Sequence, residues 1–300
     1  MAGRKEIDYT YSLIDKIFRY SLGDTGDFSG AMYDGDFGLS LEEAQRRKHA
    51  FIADHLAIRP GSRVLDMGCG WGAFLKFIER RGAEGVGVTL SEGRRRACRK
   101  NGLQVHLRDC RTLRPEDFGR FEAAACVGAF EAFCSREEWE DGRQDRVYRD
   151  FFENTARLLK PRGRFYMQTM VIGPKAIDPA DVDIRAPRGS DAHVCAVLQN
   201  QFPGHWLPSG EAQVVDAARP FFRLISRSSG RLDYIETQRQ WSRAFKKFGL
   251  RKYLFYLSLV PRYFVRPEFR KRLALFDVAA NRICFEREIL DHFRLVFEKL

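Results

Sequence analysis

Val64-Leu65-Asp66-Met67-Gly68-Cys69-Gly70-Trp71-Gly72-Ala73 decides the fold. Arg63-Val64-Leu65-Asp66 has the length and apolar character of a short buried strand, and the residues from Ala73 to Arg81 read as a helix. Between them Gly68 and Gly70 let the backbone turn tightly and approach a ligand closely, where a Cβ would block the approach or the dihedrals. Gly68, Gly70 and Ala73 also satisfy the G-x-G-x-x-A spacing of a dinucleotide site. Such a site wants an acidic residue at the end of the next strand to hold a ribose. Here that strand ends in Thr89-Leu90-Ser91, with Glu92 already beyond it. Asp66, ahead of the first glycine, instead suits a site for the amino-acid end of a small cofactor without a pyrophosphate.

Outward from this turn the chain alternates. Ser40 and Glu43 form a capping box at the start of a helix that ends before Pro60-Gly61. After the glycine turn come a strand at Gly85–Thr89, a helix at Ser91–Lys100 and a strand at Gln104–Leu107. A strand at Phe121–Val127, an amphipathic helix at Gln144–Leu159, a turn at Lys160-Pro161-Arg162-Gly163 and a strand at Arg164–Thr169 follow. Strand and helix in alternation predict an α/β fold, a doubly wound, mostly parallel sheet with its ligand crevice at the C-terminal strand ends. From Gly173 to Gly210, prolines at 174, 179, 187, 203 and 208 break the regularity and suggest a lid over that crevice. Beyond it a strand is expected at Phe221–Ser226, helices at Tyr234–Phe248 and Glu268–Phe285, and a last strand at Phe293–Phe297. We read one domain over 1–300: an N-terminal helical cap (1–58), a cofactor-binding core (59–170), and the lid with substrate-side elements (171–300).

Composition narrows the class. With 44% hydrophobic and 30% charged residues the chain can fill a substantial core, which excludes a disordered protein. No run of about eighteen uncharged apolar residues is present, and the first residues lack the apolar stretch of a secretory signal, so a cytoplasmic protein is expected. Seven cysteines without a C-x-x-C pair read as reduced, mostly buried thiols. His106 and His193 have no partner at metal-ligand spacing, so no metal site is expected. A net charge of +11 would attract anionic partners such as phospholipid surfaces, acidic carrier proteins or nucleic acid. For nucleic acid there is no aromatic-basic recognition motif to support the charge. The stretch Leu250–Val260, apolar and aromatic with Arg251 and Lys252 near its start, has the composition of an interface or a lipid-accepting mouth.

Leu39-Ser40-Leu41-Glu42-Glu43-Ala44-Gln45, then Val64–Gly72, then Gly87-Val88-Thr89-Leu90-Ser91 resemble, in order and spacing, the cyclopropane fatty acid and mycolic acid cyclopropane synthases. The resemblance continues at Gly128-Ala129-Phe130-Glu131, at Phe202-Pro203-Gly204 with Leu207-Pro208-Ser209, and at Tyr234, Thr237 and Trp241. It implies a Rossmann-like class I methyltransferase that moves a methyl group from S-adenosylmethionine onto an olefin, giving a carbocation that loses a proton. It also implies a cofactor site lined by Tyr33, Gly68, Gly70, Thr89 and Leu90, with Ser91 nearby; Asp66 and Gly72 join them from the turn itself.

The pattern is incomplete. Family members grip a bicarbonate ion, thought to act as the base, with a cysteine, a glutamate, a histidine and a tyrosine. Here Phe28-Ser29-Gly30-Ala31-Met32-Tyr33 has glycine or alanine in place of the cysteine, Gln168 stands in place of the histidine, and Ala132 follows the glutamate. Glu131 and Tyr234 remain. Glu131, at a strand end facing the crevice, is the expected proton acceptor. Gln168, neutral at every relevant pH, would orient Glu131 or a substrate oxygen. Tyr234 would hydrogen-bond the catalytic group or turn its ring toward developing positive charge. The expected activity is carbon methylation of an unsaturated, apolar substrate, lipid-like or isoprenoid- or polyketide-like, presented at an anionic membrane surface or by an acidic carrier. Its rivals are transfer to nitrogen or oxygen of a natural product, a cyclopropane-forming synthase with a rebuilt base site, and a non-catalytic lipid- or nucleic-acid-binding relative.

Overall fold

The computed structural model describes residues 20–22, 26–266 and 278–300. Helix α1 (Leu41–His55) opens on the expected capping box: the Ser40 hydroxyl accepts from the Glu43 backbone, and the Glu43 carboxylate accepts from the Ser40 N–H at 3.0 Å. Besides Ala44, Ile52 and Ala53, this helix buries three polar side chains, Gln45, Lys48 and His49. They matter for the site below.

Strand β1 (Arg63–Met67), helix α2 (Ala73–Glu79), β2 (Glu84–Thr89), α3 (Glu92–Lys100) and β3 (Gln104–Leu107) then alternate. Strand β4 (Phe121–Val127), α4 (Gln144–Leu158) and β5 (Leu159–Ile172) continue the pattern. The rest comprises α5 (Asp191–Gln201), α6 (Glu211–Ala218), β6 (Phe222–Ser229), α7 (Arg231–Lys246), α8 (Leu250–Val265), α9 (Val278–Glu286) and β7 (Leu290–Lys299). The seven-stranded sheet runs in the order β3-β2-β1-β4-β5-β7-β6. Its first five strands are parallel, and β7 lies antiparallel between β5 and β6. Parallel strands need crossover helices that cover both faces, which is why β4 is buried from Ala123 to Cys126 instead of alternating. One face carries Leu65, Met67, Phe151, Phe152, Phe165 and Phe297; the other carries Ile52, Val64, Leu75, Ile78, Tyr166 and Val296. The strand order reverses between β1 and β4. The switch point therefore places the glycine turn after β1 and the Glu131 segment after β4 side by side at the C-terminal edge.

Several boundaries differ from the sequence reading. Lys160–Gly163 is not a separate turn but an irregular stretch inside β5, where the register against β4 shifts between Phe121 and Ala123 and Arg162 has a φ of 58°. The proline-rich insertion holds a helix, α5, with Ser190 accepting from the His193 N–H as its cap. Its weakly periodic sequence hid it. Helix α7 begins at Arg231, ahead of the expected Tyr234. Of the helix expected over Glu268–Phe285, residues 268–277 lie outside the described residues, as do residues 1–19 and 23–25 of the N-terminal cap, and Val278 onward is helical. All seven cysteines are free thiols, six of them buried.

Candidate active site

The glycine turn is built from glycines with different work. Gly68, Gly70 and Gly72 all have positive φ, of 88°, 53° and 78°. A Cβ on Gly68 would lie 2.6 Å from the Ala129 Cβ, so this glycine lets the turn after β1 sit against the turn after β4. One on Gly72 would lie 2.3 Å from Leu103 Cδ1, so Gly72 serves the packing of α2 against the α3–β3 connection. A Cβ on Gly70 meets nothing within 4 Å. That position opens onto the crevice. The N–H groups of Gly68 and Cys69 both donate to the Val88 carbonyl at 3.1 Å, which ties the turn to the end of β2. There Thr89 is buried and its hydroxyl accepts from the Ser91 N–H, Ser91 caps α3 through the Arg94 N–H, and Leu90 is exposed. Asp66 is fully buried; burial first, then the negative charge of Asp27, push its carboxyl up to about 7 against the opposing pull of Lys48.

A strap of chain over residues 26–36 crosses this edge. Gly26 lies against Trp71 of the glycine turn, since a Cβ there would be 3.1 Å from the indole. Asp27 accepts from Lys48 Nζ and from His49 Nε2, each at 2.8 Å, and Lys48 also donates to Ser29. Burial works to raise the Asp27 carboxyl, but Lys48 and His49 outweigh it and hold it well below the usual carboxylate range. Burial lowers His49, and the hydrogen bond and charge of Asp27 oppose that shift. Farther along, Gln168 Nε2 donates to the Gly30 carbonyl, the Ala31 N–H donates to Thr237, and Arg294 donates to the Ala31 carbonyl, each at 2.9 Å. Asp233 pairs with Arg294 at 2.6 Å in the interior and accepts from the Asp34 N–H. Tyr33 ends this run against α1 and α7. Burial, then the nearby Glu236 and Asp233, push its phenol up. The structure thus brings Gly26 to the glycine turn, while Tyr33, expected at the cofactor, sits at the start of α7.

Glu131 lies in a short 3₁₀ turn (Phe130–Ala132) directly after β4. Its Oε1 accepts from the Met170 N–H at 2.8 Å, and its Oε2 is buried with no hydrogen-bond partner among the described residues. Burial raises the carboxyl, and the Met170 N–H, the Glu131 backbone and the nearby Thr169 hydroxyl only partly offset it. Tyr234 faces the same region: its phenol is pushed up by burial and by the Glu131 charge, and its ring stacks on His292 at 4.9 Å with 8° between planes. Gln168 differs from expectation. Its Oε1 accepts from the Tyr166 hydroxyl and its Nε2 donates to Gly30, both at 2.9 Å, so the amide pins the strap instead of orienting Glu131. A Cβ on Gly30 would lie 2.6 Å from Tyr234 Cδ2 and 3.2 Å from both Gln168 and His292. Tyr234 fills the space that a cysteine there would need.

Residues 2–252 match the family model of mycolic acid cyclopropane synthetase. The chain belongs to this family. It is 30% identical over 239 residues to cyclopropane mycolic acid synthase 3 of Mycobacterium tuberculosis (strain CDC 1551 / Oshkosh), covering 78% of this chain and 79% of that one. Hydroxymycolate synthase MmaA4 of Mycobacterium bovis is 28% identical over 245 residues, covering 79% and 76%. The fold matches mycolic acid cyclopropane synthase CmaA1 complexed with SAH and CTAB, with a TM-score of 0.75 at 23% identity over 96% of this chain and 95% of that one. It matches cyclopropane synthase MmaA2 from Mycobacterium tuberculosis with a TM-score of 0.73 at 23% identity over the same shares. The protein is an S-adenosylmethionine-dependent methyltransferase with a Rossmann-like fold. The residues present fit that cofactor, because Gly70 faces open space at the switch point, beside a buried acid one turn away.

Within this family member, three features escaped the sequence reading. His292 is buried on β7 opposite Met170, with Nδ1 unpartnered among the described residues, and burial, then Arg294 and Lys48, hold it well below its ordinary pKa. The alternation Leu290, His292, Arg294 on a terminal strand was the available signal. The Asp27–Lys48–His49 cluster and the Arg294–Asp233 pair carried none, since their partners stand far apart in the chain.

Proposed function

We propose that this enzyme transfers the methyl group to carbon of an unsaturated, largely apolar substrate, with Glu131 accepting the proton that the resulting carbocation releases. The observation that carries this reading is the unpartnered, buried Oε2 of Glu131, a carboxylate oxygen held in place through its sister atom by Met170. Leaving such an oxygen without a donor is costly unless a ligand uses it. S-adenosylmethionine supplies the methyl group when bound; Gly68, Gly70, Asp66 and the Thr89–Ser91 corner would hold it, with Asp66 toward its ammonium group. Met170 orients Glu131, Gln168 and Lys48 fix the strap that screens the site from water, and the Tyr234 face lies where positive charge develops on the substrate.

Because Gln168 is committed to the strap and Tyr234 occupies the space beside Gly30, the reading includes turnover without a bicarbonate base. It also includes delivery of the chain from an anionic surface, a lipid leaflet or an acidic carrier. Helix α8 supports this: Leu250, Tyr253, Leu254, Leu257, Phe264 and Val265 are exposed, and from Thr237 to Pro267 the chain contains no Asp or Glu. Exposed cations flank or begin it at Lys246, Lys247, Arg251 and Arg266, whereas Lys252 is buried and caps α7 through the Ala244, Phe245 and Lys247 carbonyls. No helix among the described residues is long and apolar enough to cross a membrane. The test is incubation with methyl-labelled S-adenosylmethionine and a lipid or metabolite extract, followed by mass spectrometry. Label on an olefinic carbon is expected, and label on nitrogen or oxygen would overturn the reading.

A further inference from the structure

Helix α7 buries the polar side chains of Asp233, Glu236, Thr237 and Gln238. Three of them have partners. Asp233 pairs with Arg294, Glu236 accepts from Gln240 at 2.9 Å, and Thr237 accepts from the Ala31 N–H while donating to the Asp233 carbonyl. Gln238 is different: it is 1% exposed, yet neither its amide oxygen nor its amide nitrogen has a hydrogen-bond partner among the described residues. A fixed amide in an apolar interior without either bond is disfavoured unless something else completes it.

Helical geometry says where that something lies. At 3.6 residues per turn, Tyr234, Gln238 and Trp241 fall on one stripe of α7. The rings of Tyr234 and Trp241 meet edge to face at 6.0 Å, so Gln238 emerges between them. This stripe faces the strap: Phe28 stacks on Trp241 at 4.4 Å, and Gly30 lies against Tyr234. The two rings share an apolar cluster with Val197, Phe285, Leu41, Met170 and Leu207, and both ends of this amide lie there without a hydrogen-bond partner among the described residues. Tyr234 shares a cluster with Met170, whose N–H holds Glu131, and Gln238 stands one turn, about 5.4 Å, farther along the helix.

We propose that Gln238 is a specificity-determining residue, reading a neutral group that both donates and accepts, a hydroxyl or a carboxamide, carried by the substrate chain a few carbons from the reacting double bond. The inference rests on the olefin reading above and narrows it: the substrate is an oxygenated unsaturated chain. A hydroxyl accepts from Nε2–H and donates to Oε1, completing both ends at once.

The test uses the full chain with S-adenosylhomocysteine present and three probes: a cis-monounsaturated long-chain fatty acid, its analogue with a hydroxyl roughly two to six carbons from the double bond, and the matching carboxamide. Tryptophan fluorescence titration gives each dissociation constant. Wild type should bind the hydroxyl or the carboxamide analogue about tenfold or more tighter than the plain chain, because the plain chain leaves the amide unpaired. The hydroxyl and carboxamide arms tell the two groups apart. In Gln238→Leu the preference should vanish or reverse, while the ligand-free variant melts at the same or a higher temperature; Gln238→Met is the second variant should leucine disturb the packing. Equal affinity of wild type for all three chains, binding of none of them, or an unchanged preference in both variants would overturn the proposal. Methylation separates the two readings: a preference in binding with no carbon methylation of any probe defeats the olefin reading and leaves Gln238 as the reader of the oxygen.

Discussion

Asp66 is the group whose titration should be felt in both folding and cofactor binding. Its folded-state carboxyl lies at about 7, against about 3.9 in an unfolded chain. The folded protein therefore holds the proton more tightly, and the stability this group contributes is fully present below about pH 3.9 and lost as pH rises through about 7. A difference of about three in pKa corresponds to about 4 kcal/mol between the two limits. Cofactor affinity should run the opposite way, because only the ionised carboxylate attracts the cofactor ammonium. Affinity for S-adenosylhomocysteine should level off above about pH 8 and weaken toward tenfold per pH unit below about 7, each tenfold being about 1.4 kcal/mol. Asp66→Asn carries no proton to lose, so it should be more stable than wild type above about pH 8 and bind the cofactor more weakly, with little pH dependence. Calorimetric titration and thermal melts across about pH 5.5 to 8.5 provide the assay, and any slope that the variant keeps belongs to other groups. Wild-type affinity that stays flat through neutrality, or an equal slope in wild type and Asp66→Asn, would refute the reasoning.

Gly70→Val and Gly72→Ala should separate binding from packing within one motif. The first should abolish S-adenosylhomocysteine binding by calorimetry while the fold survives at some cost in stability, since its side chain enters open space but the positive φ of 53° strains it. The second should lower the melting temperature by several degrees, because its Cβ meets Leu103 at 2.3 Å. Lys48→Met strands the Asp27 carboxylate in the interior and should cost about 3 to 5 kcal/mol in urea unfolding, the usual range for breaking a buried pair; a loss under about 1 kcal/mol would show that the strap does not depend on it. Turnover should persist in buffer stripped of bicarbonate, and strict dependence on added bicarbonate would mean that the site around Glu131 still holds the ion.

Much of this architecture was legible because parallel strands and crossover helices leave local marks. The Gln104–Leu107 and Phe121–Val127 boundaries follow from short apolar runs between polar turns, and the Ser40 and Ser91 caps follow from side chains that hydrogen-bond within three residues of themselves. Helix α5 was not legible, since prolines on either side and an uneven apolar spacing made Asp191–Gln201 look like loop. Within the site, Glu131 and the glycine turn could be placed because strand ends point to the crevice. The role of Gln168 could not, for its partner Gly30 lies 138 positions away. That Tyr33 lies by Asp233 and Glu236 was not legible either, because nothing local records how far the strap travels between Gly26 and Asp34. His292, Gln238 and the buried Lys48 are readable only once β7, α7 and α1 face one another.

The central claim, carbon methylation with Glu131 as proton acceptor, meets its most direct test in Glu131→Gln. Glutamine keeps the shape and can still accept the Met170 N–H through its oxygen, but it neither takes a proton nor carries charge. The measurement is single-turnover transfer of a labelled methyl group to the true substrate, alongside the calorimetric affinity for S-adenosylhomocysteine. The account predicts label on carbon in the wild type, with unchanged cofactor affinity and a loss of about a hundredfold or more in rate for the variant. Near wild-type transfer by a variant with intact cofactor binding, or label on a heteroatom, would contradict it.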